Sequence, residues 1–393
     1  MSKIDYDIII VGAGLSGLSM ASYLANYGLN ILIIEQKDLN IEISKNLFDG
    51  RAYAISYGSY KILQNAGIWQ YVENDAGPIL DILVSDYGSK TFLHYDHNLA
   101  SSEPMGYMIA AEKLNLAAYN HVKETTNITI ISNQTIDYIE NNPDNIRVAT
   151  KDNHNITGKL LIAADGKNSF IRKYCKIPTI KHNYEHDAIV CTIQHTKAHN
   201  NLAREIFLPT GPFACLPLKD QFSSSLVWTE KKALIPLYLK MEKAEINEQI
   251  KIRLGNYLGD ISLSSELKSF PLTLVKAKKF YAHNIALIGD AAHGVHPLAG
   301  QGLNLGIRDI EILSKLILKN QQLGLPINST SLLKEYNKVR MFDSWSLIFL
   351  THGFNSIFGH KNIISKTTRR LGLSLVNRLP SLKARFIKHA SGC

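Results

Sequence analysis

The stretch Tyr6-Asp-Ile-Ile-Ile-Val-Gly12-Ala-Gly14-Leu-Ser-Gly17 decides how the rest of the chain is read. An apolar run from Tyr6 to Val11 predicts a buried strand. Three glycines spaced Gly-x-Gly-x-x-Gly follow, and then a helix from Leu15 to Tyr27, stopped by Gly28. A second strand runs from Asn30 to Ile34 and is closed by Glu35. Parallel strands joined through a helix make a βαβ unit and imply an α/β fold. In this context the glycines have separate jobs: the tight turn, backbone approach to a pyrophosphate, and close packing of helix on strand. Glu35 is placed to accept hydrogen bonds from a ribose. The reading is therefore a dinucleotide site formed by Gly12, Gly14, Gly17 and Glu35. FAD and NAD share this fingerprint, so it does not choose between them.

A second glycine-rich turn lies far downstream. Asn284 to Ile288 reads as a strand that rejoins the N-terminal sheet, and Gly289-Asp290 ends it. A turn containing Gly300 and Gly302 then leads to a helical pattern from Leu303 to Ile317. A carboxylate at a strand end, followed by unpaired N–H groups at a helix start, suits an electron-rich ligand. Asp165-Gly166, after the apolar run Leu160 to Ala164, and Asp49-Gly50-Arg51 read by themselves as turns, although Arg51 could counter a phosphate. His293 and His296 are three apart with no third ligand beside them, so the sequence supports no metal site.

Between these segments the pattern changes. Short strands at 188–195, 205–209, 213–218 and 224–229 predict an antiparallel sheet inserted into the α/β body. Helices are expected at 56–69, 114–121 and 242–258, and again from about Ser331 onward. The implied division is 1–75, 100–180 and 275–340 for the nucleotide-binding body, and 76–99 with 181–274 for the second domain. A basic helical segment, 341–393, completes it. Phe213 and Trp228 fall on predicted strands and read as core.

Composition excludes several classes. The chain of 393 residues is 45% hydrophobic and 20% charged, ordinary for a globular protein. Its four cysteines fit no Cys-x-x-Cys spacing. No apolar run approaches the ~18 residues of a membrane span, and the N-terminus does not read as a signal peptide. The net charge is +9, but eight of the 43 basic residues lie between Lys361 and Cys393, where no acid occurs. The body is thus near neutral and nucleic acid is not an expected partner. Leu371, Leu375 and Leu379, then Leu382 and Phe386, make an apolar stripe in a basic frame. It suits either an interfacial helix on anionic lipid or a helix packed on the body with a solvated basic face.

Taken together, Gly12-x-Gly14-x-x-Gly17, Asp165-Gly166, Gly289-Asp290 and the run His296-Pro-Leu-Ala-Gly300-Gln-Gly302-Leu303-Asn304-Leu-Gly306 resemble the group A flavoprotein aromatic hydroxylases. Within them the chain resembles the ubiquinone-biosynthesis branch. Asp49 to Ser56, Leu208 to Leu218 and Arg370 to Gly392 are similar too, so the likeness runs along the whole chain. It implies an α/β fold like that of p-hydroxybenzoate hydroxylase: a Rossmann-like FAD-binding domain, an interleaved antiparallel substrate domain and a C-terminal helical segment. It implies FAD as cofactor, NAD(P)H as reductant and O2 as cosubstrate, with a flavin C4a-hydroperoxide hydroxylating a polyprenylated phenol. Gly12, Gly14, Gly17 and Glu35 would hold the adenosine and pyrophosphate end. Arg51 would sit by the flavin or pyrophosphate, and Asp165-Gly166 with Arg172 would serve both FAD and the reduced nicotinamide. Asp290 would bind the ribityl chain or the ribose side of the pyrophosphate, and Gly300, Gly302, Leu303 and Asn304 would face the flavin ring. His296 is the candidate on the substrate side, its alternative role being to fix the turn before Pro297. The family places an arginine about where this chain has Glu112, followed by Lys113, so either Lys113 takes over that contact or it is lost. A cytoplasmic protein, peripheral on the inner face of the cytoplasmic membrane and working beside other ubiquinone-biosynthesis proteins, is expected. The alternatives are a hydroxylase of a small soluble phenol and a non-catalytic flavoprotein scaffold.

Overall fold

The structure is a computed structural model that describes residues 4–39, 51–89, 92–99, 102–294 and 301–359. The predicted βαβ unit is β1 (Tyr6–Val11), α1 (Leu15–Ala25) and β2 (Ile31–Ile34). Helix α1 is buried along almost its whole length, and its sequence is apolar or small on every side. It ends at Ala25, two residues before the predicted end, and Gly28 at φ +77° turns the chain into β2.

The chain then forms β3 (Ala52–Ser56), α2 (Tyr57–Asn65), β4 (Gly77–Ile79), β5 (Asp81–Asp86), β6 (Phe92–Asp96), β7 (Gly106–Ala110) and α3 (Ala111–Glu124). Helix α2 is shorter than the 56–69 segment expected. Gly67 at φ +79° follows its end, and a side chain there would lie 2.5 Å from His121 Nε2. Next come β8 (Ile128–Ile131), β9 (Ile136–Asn141), β10 (Ile146–Thr150), β11 (Asn155–Ala163) and α4 (Phe170–Tyr174). The large-sheet strands β12 (Thr179–His195), β13 (Leu202–Leu208), β14 (Gly211–Pro217) and β15 (Ser223–Lys231) follow, then α5 (Ile235–Lys240) and α6 (Lys243–Leu254). Strand β12 starts nine residues before the predicted 188, because its first half pairs with a later strand across a bulge at Asn183–Asp187. Helix α6 opens on a capping box, Glu242 with Glu245, and stops at Gly255, φ +67°. The remaining elements are β16 (Ile261–Leu263), β17 (Lys268–Ala277), β18 (Tyr281–Ala282), β19 (Ile285–Leu287), α7 (Asp290–His293), α8 (Gln301–Gln322) and α9 (Thr330–Gly359).

Two large sheets result. In the first, β19, β11, β1, β2 and β8 are neighbours in that order and all parallel. The late strand thus rejoins the N-terminal sheet, as the chain order suggests. From β1 the chain moves to β2 on one side, while β11 lies on the other. The loop Gly12–Gly17 therefore sits at a topological switch point, where α/β sheets hold ligands. In the second sheet the order is β16-β12-β15-β14-β13-β5-β6, with β17 also paired to β12. One face packs on α5 and α6 through Ile189, Phe213, Trp228, Ile246 and Ile250. The opposite face meets a three-stranded sheet, β3-β7-β4, through Ile79, Met105, Met108 and Ala203. Phe213 and Trp228 are core residues, at 0% and 2% exposure.

Candidate active site

The glycine loop separates into packing and binding positions. A side chain at Gly12 would lie 2.4 Å from the Ala164 carbonyl, and one at Gly17 would lie 2.0 Å from the Gly12 carbonyl. Both glycines are needed simply to bring α1 onto β1 and β11. At Gly14 an added Cβ would meet nothing within 4 Å among the described residues. Gly14 is also the N-cap of α1, and no side chain caps that helix. The first N–H groups of a buried helix thus face open space, where the helix dipole favours an anion. Glu35, 9% exposed, accepts from the Ala13 N–H at 2.7 Å and from the Lys37 N–H at 3.0 Å. Its carboxylate lies against the glycine loop.

The Asp165-Gly166 turn does what turn chemistry alone predicts, and something more. Gly166 has φ +76°, and Asp165 Oδ2 accepts from the Ile171 N–H at 3.0 Å, holding the start of α4. Asp165 Oδ1 is buried without a partner among the described residues. Arg172, 3% exposed, donates to the carbonyls of Ala291 (2.7 Å) and Lys167 (2.6 Å). It ties this turn to α7, so it is a strut between the two motifs. At the start of α7, the Asp290 side chain is accessible, yet burial raises its carboxyl pKa, opposed by His293 and Lys167. An accessible carboxyl deep in protein lines a cleft.

Gly289, at φ +56°, and Gly306 pack against Ser16 of α1, which brings the downstream turn onto the first. Gly302 and Leu303 lie half-buried in the first turn of α8. Asn304, 1% exposed, has its amide against β3: Nδ2 donates to the Ala54 carbonyl (2.8 Å) and Oδ1 accepts from the Ser56 N–H (2.9 Å). Arg51, just ahead of β3, holds its guanidinium 5.3 Å above the Phe270 ring of β17. Lys113 is paired with Asp75 at the exposed surface. Gly300 and His296, like Asp49 and Gly50, lie outside the described residues.

His293 is resolved as a structural residue. It is fully buried, with Nε2 2.7 Å from Asp309 Oδ2 and its ring edge-on to Phe280. Asp309 also accepts from the Gly289 N–H (2.8 Å) and from Arg340 Nε (2.6 Å). This cluster was missed in the sequence. Arg308 and Asp309 are two of several charges on this helix, beside Glu311, Lys315 and Lys319, so nothing local marks Asp309 as the buried one.

These features fit an FAD-sized dinucleotide: open space at Gly14, an orphaned buried oxygen on Asp165 and a deep accessible carboxyl at Asp290. The chain matches the FAD binding domain family over residues 5–347. It is 34% identical to ubiquinone hydroxylase UbiL of Rhodospirillum rubrum, an alignment covering 98% of this chain and 89% of that one. The chain belongs to this family of FAD-dependent hydroxylases. Ubiquinone hydroxylase UbiM of Neisseria meningitidis is 32% identical, over 98% of this chain and 84% of that protein. Among solved structures, p-nitrophenol 4-monooxygenase PnpA of Pseudomonas putida shares the fold with a TM-score of 0.79. It is 17% identical, with 99% of this chain and 98% of that chain covered. The family membership makes the cofactor FAD and the protein a flavoprotein monooxygenase.

Proposed function

We propose that the protein hydroxylates the ring of a polyprenylated phenol in ubiquinone biosynthesis, with NAD(P)H as reductant and O2 as cosubstrate. The observation that carries this reading is full-length kinship with two ubiquinone hydroxylases, on a site whose glycine loop, Asp165 and Asp290 fit FAD. In this reading Gly12, Gly14 and Gly17 admit the pyrophosphate to the start of α1, and Glu35 turns to the ribose. Asp165, Gly166, Asp290 and Arg51 line the middle of the cofactor. The backbone of Gly302, Leu303 and Asn304 offers N–H groups to its ring, where negative charge develops. Bound FAD supplies reduction by NAD(P)H and transfer of one oxygen atom of O2 to an electron-rich ring. The protein's share is to shield that chemistry from water and to aim the ring.

The substrate class also calls for contact with a bilayer. No helix among the described residues is long and apolar enough to cross a membrane. Helix α9 does carry Phe342 and Phe349 at 78% and 72% exposure, beside Trp345. It precedes the basic stretch 361–393, which lies outside the described residues. A peripheral contact made by these aromatics and bases follows. Flotation with anionic vesicles checks it: binding that ignores both anionic lipid and Phe342→Ser/Phe349→Ser removes the contact. The function itself is checked by the quinone intermediates of a strain lacking the protein. An accumulated prenylated phenol precursor is expected, and an unchanged quinone pool overturns the proposal.

A further inference from the structure

Glu205 is a carboxyl that the cofactor site does not use. It lies on β13, paired with Ala214 of β14 and Val84 of β5. Along β13, Ile206 and Leu208 point into the core under α5 and α6. Residues at odd positions, Ala203 and Glu205, therefore point the other way. That other face is turned toward the FAD-binding body in two places. Ala203 packs with Met108, Ala54 and Ile79, and the Ala54 carbonyl is bonded to Asn304 in the first turn of α8. Along the same face, through Ala214, Val227, Thr229 and Ala188, lies Phe270, over which Arg51 sits. Glu205 is thus on the wall that faces the start of α8.

The carboxyl of Glu205 has no hydrogen-bond or ion-pair partner among the described residues, and Arg204 points to the opposite face, over Tyr257. It keeps some accessible surface, although burial alone lifts its pKa to about 7, with no charged neighbour contributing. Accessible surface on a deeply set group belongs to an internal space. The side chains beside it, Val84, Ala203, Ala214 and Phe207, carry no charge. The titratable groups on the same face are Asp86 and Tyr95, from β5 and β6, Lys231 of β15 with its pair His186 of β12, and Lys268 of β17, which lies opposite Val190. The segments packed against that face supply Ala52, Ala54, Met105 and Met108, and Arg51 stands farther along over Phe270. An unpaired carboxyl in an apolar wall costs stability and is kept where it acts on a ligand.

We propose that Glu205 is the base that takes the proton of the substrate's phenolic hydroxyl. The inference rests on the hydroxylase reading given above. The step is a proton transfer alone: the phenol O–H bond breaks, an O–H bond forms on the Glu205 carboxylate, and the electron pair stays on the phenolate oxygen. The phenolate then donates density to the ring carbons ortho and para to it, which an electrophilic oxygen donor requires. A carboxyl titrating near neutrality is suited to this exchange.

The test uses FAD-loaded full-length protein, a short-chain prenylated phenol and the variants Glu205→Gln and Glu205→Asp. In the wild type, the difference spectrum of the bound phenol should show phenolate at pH 8, and this signature should vanish in Glu205→Gln. That variant should form product about 100-fold more slowly at pH 7 and recover as pH rises toward ~10, where a free phenol ionises unaided. Glu205→Asp should retain part of the wild-type signature. Because the folded-state pKa is raised, the ionised carboxylate weakens the fold once the pH exceeds the unfolded value near ~4.3. Glu205→Gln should therefore be at least as heat-stable as wild type at pH 8, whereas a structural glutamate would give a lower Tm. The proposal is overturned by a wild-type pH profile in Glu205→Gln, by a lower Tm at pH 8, or by a phenol that wild type binds neutral up to pH 9. Should wild type bind the phenol as phenolate but never hydroxylate any prenylated phenol, the substrate assignment fails while the role of Glu205 stands.

Discussion

Charge is buried in this molecule in two contrasting ways. Around Asp309 the buried charges have partners: Arg340 contacts it directly, and the His293 ring lies against it. Arg340 also pairs with Asp343, which accepts from Arg308 at 2.9 Å. The cluster joins the Gly289 turn to α8 and α9, and Arg340 adds a bond to the Leu305 carbonyl. Glu205 and Lys276 lack such company. Lys276 is fully buried in β17, with Nζ 3.1 Å from Met341 Sδ and near the rings of Phe280 (4.8 Å) and Trp345 (4.7 Å). Burial brings its pKa down to about 8. The closed cluster is scaffolding that positions the downstream half of the site. The isolated groups weaken the fold and invite a different explanation, which for Glu205 is chemistry on the substrate.

The sharpest way to break this contrast is to open the closed cluster. Asp309→Ala removes the buried carboxylate that Arg340, His293 and the Gly289 N–H share, leaving Arg340 only Asp343 at its edge, and should cost about 3–5 kcal/mol in urea unfolding; a loss below about 1 kcal/mol would remove the scaffold role. Burial pushes the Asp309 pKa up, but His293 and Arg340 outweigh this and hold it below the usual carboxylate range. The stability it contributes is therefore present above the unfolded pKa of about 3.9 and lost as pH falls through the folded value. Wild type should show this acid-side loss, and Asp309→Asn should not.

The isolated cation should respond in the opposite direction. Lys276→Met should stabilise the protein at pH 7 by about 1–3 kcal/mol, the aromatic contacts offsetting part of the desolvation cost. Since the folded pKa lies below the unfolded one, wild type should gain stability as pH rises from about 8 toward ~10.4, whereas the variant stays flat. A variant less stable than wild type would show that the ammonium is worth keeping for the fold.

The smallest effect on stability is expected at Gly14. Its φ is −70° and an added Cβ meets no atom of the described residues within 4 Å. Gly14→Ala should therefore change unfolding by only about 1 kcal/mol, the usual cost at an N-cap. FAD affinity, measured by flavin fluorescence, should fall much more. Equal losses in both would mean that the space at Gly14 is not where the cofactor lies.

How much of this was legible follows from what local pattern can carry. The strand–turn–helix at Gly12 and the return of Ile285–Leu287 to the first sheet were legible, because contiguous apolar runs and glycine spacing are local signals. The contact between Asp309 and Arg340 was not: 31 residues separate them, and charges on helices read as solvated faces. Glu205 was hidden for a related reason. A short strand pattern shows that alternate residues face opposite ways, but not which face meets a cofactor. The length of β12 depended on its distant partner β17, and the end of α2 on Gly67 meeting His121. His296 and Gly300, the most specific part of the family resemblance, fall outside the described residues, so their roles rest on that resemblance.

The proposed reaction is ring hydroxylation of a prenylated phenol with oxygen from O2. The most direct measurement supplies FAD-loaded protein with NAD(P)H, a short-chain prenylated phenol and isotopically heavy O2, and reads the product by mass spectrometry. The expected product is a phenol bearing one additional hydroxyl whose oxygen is the heavy isotope. NAD(P)H oxidation that yields only hydrogen peroxide with every prenylated phenol, or a product whose new oxygen comes from water, would contradict it.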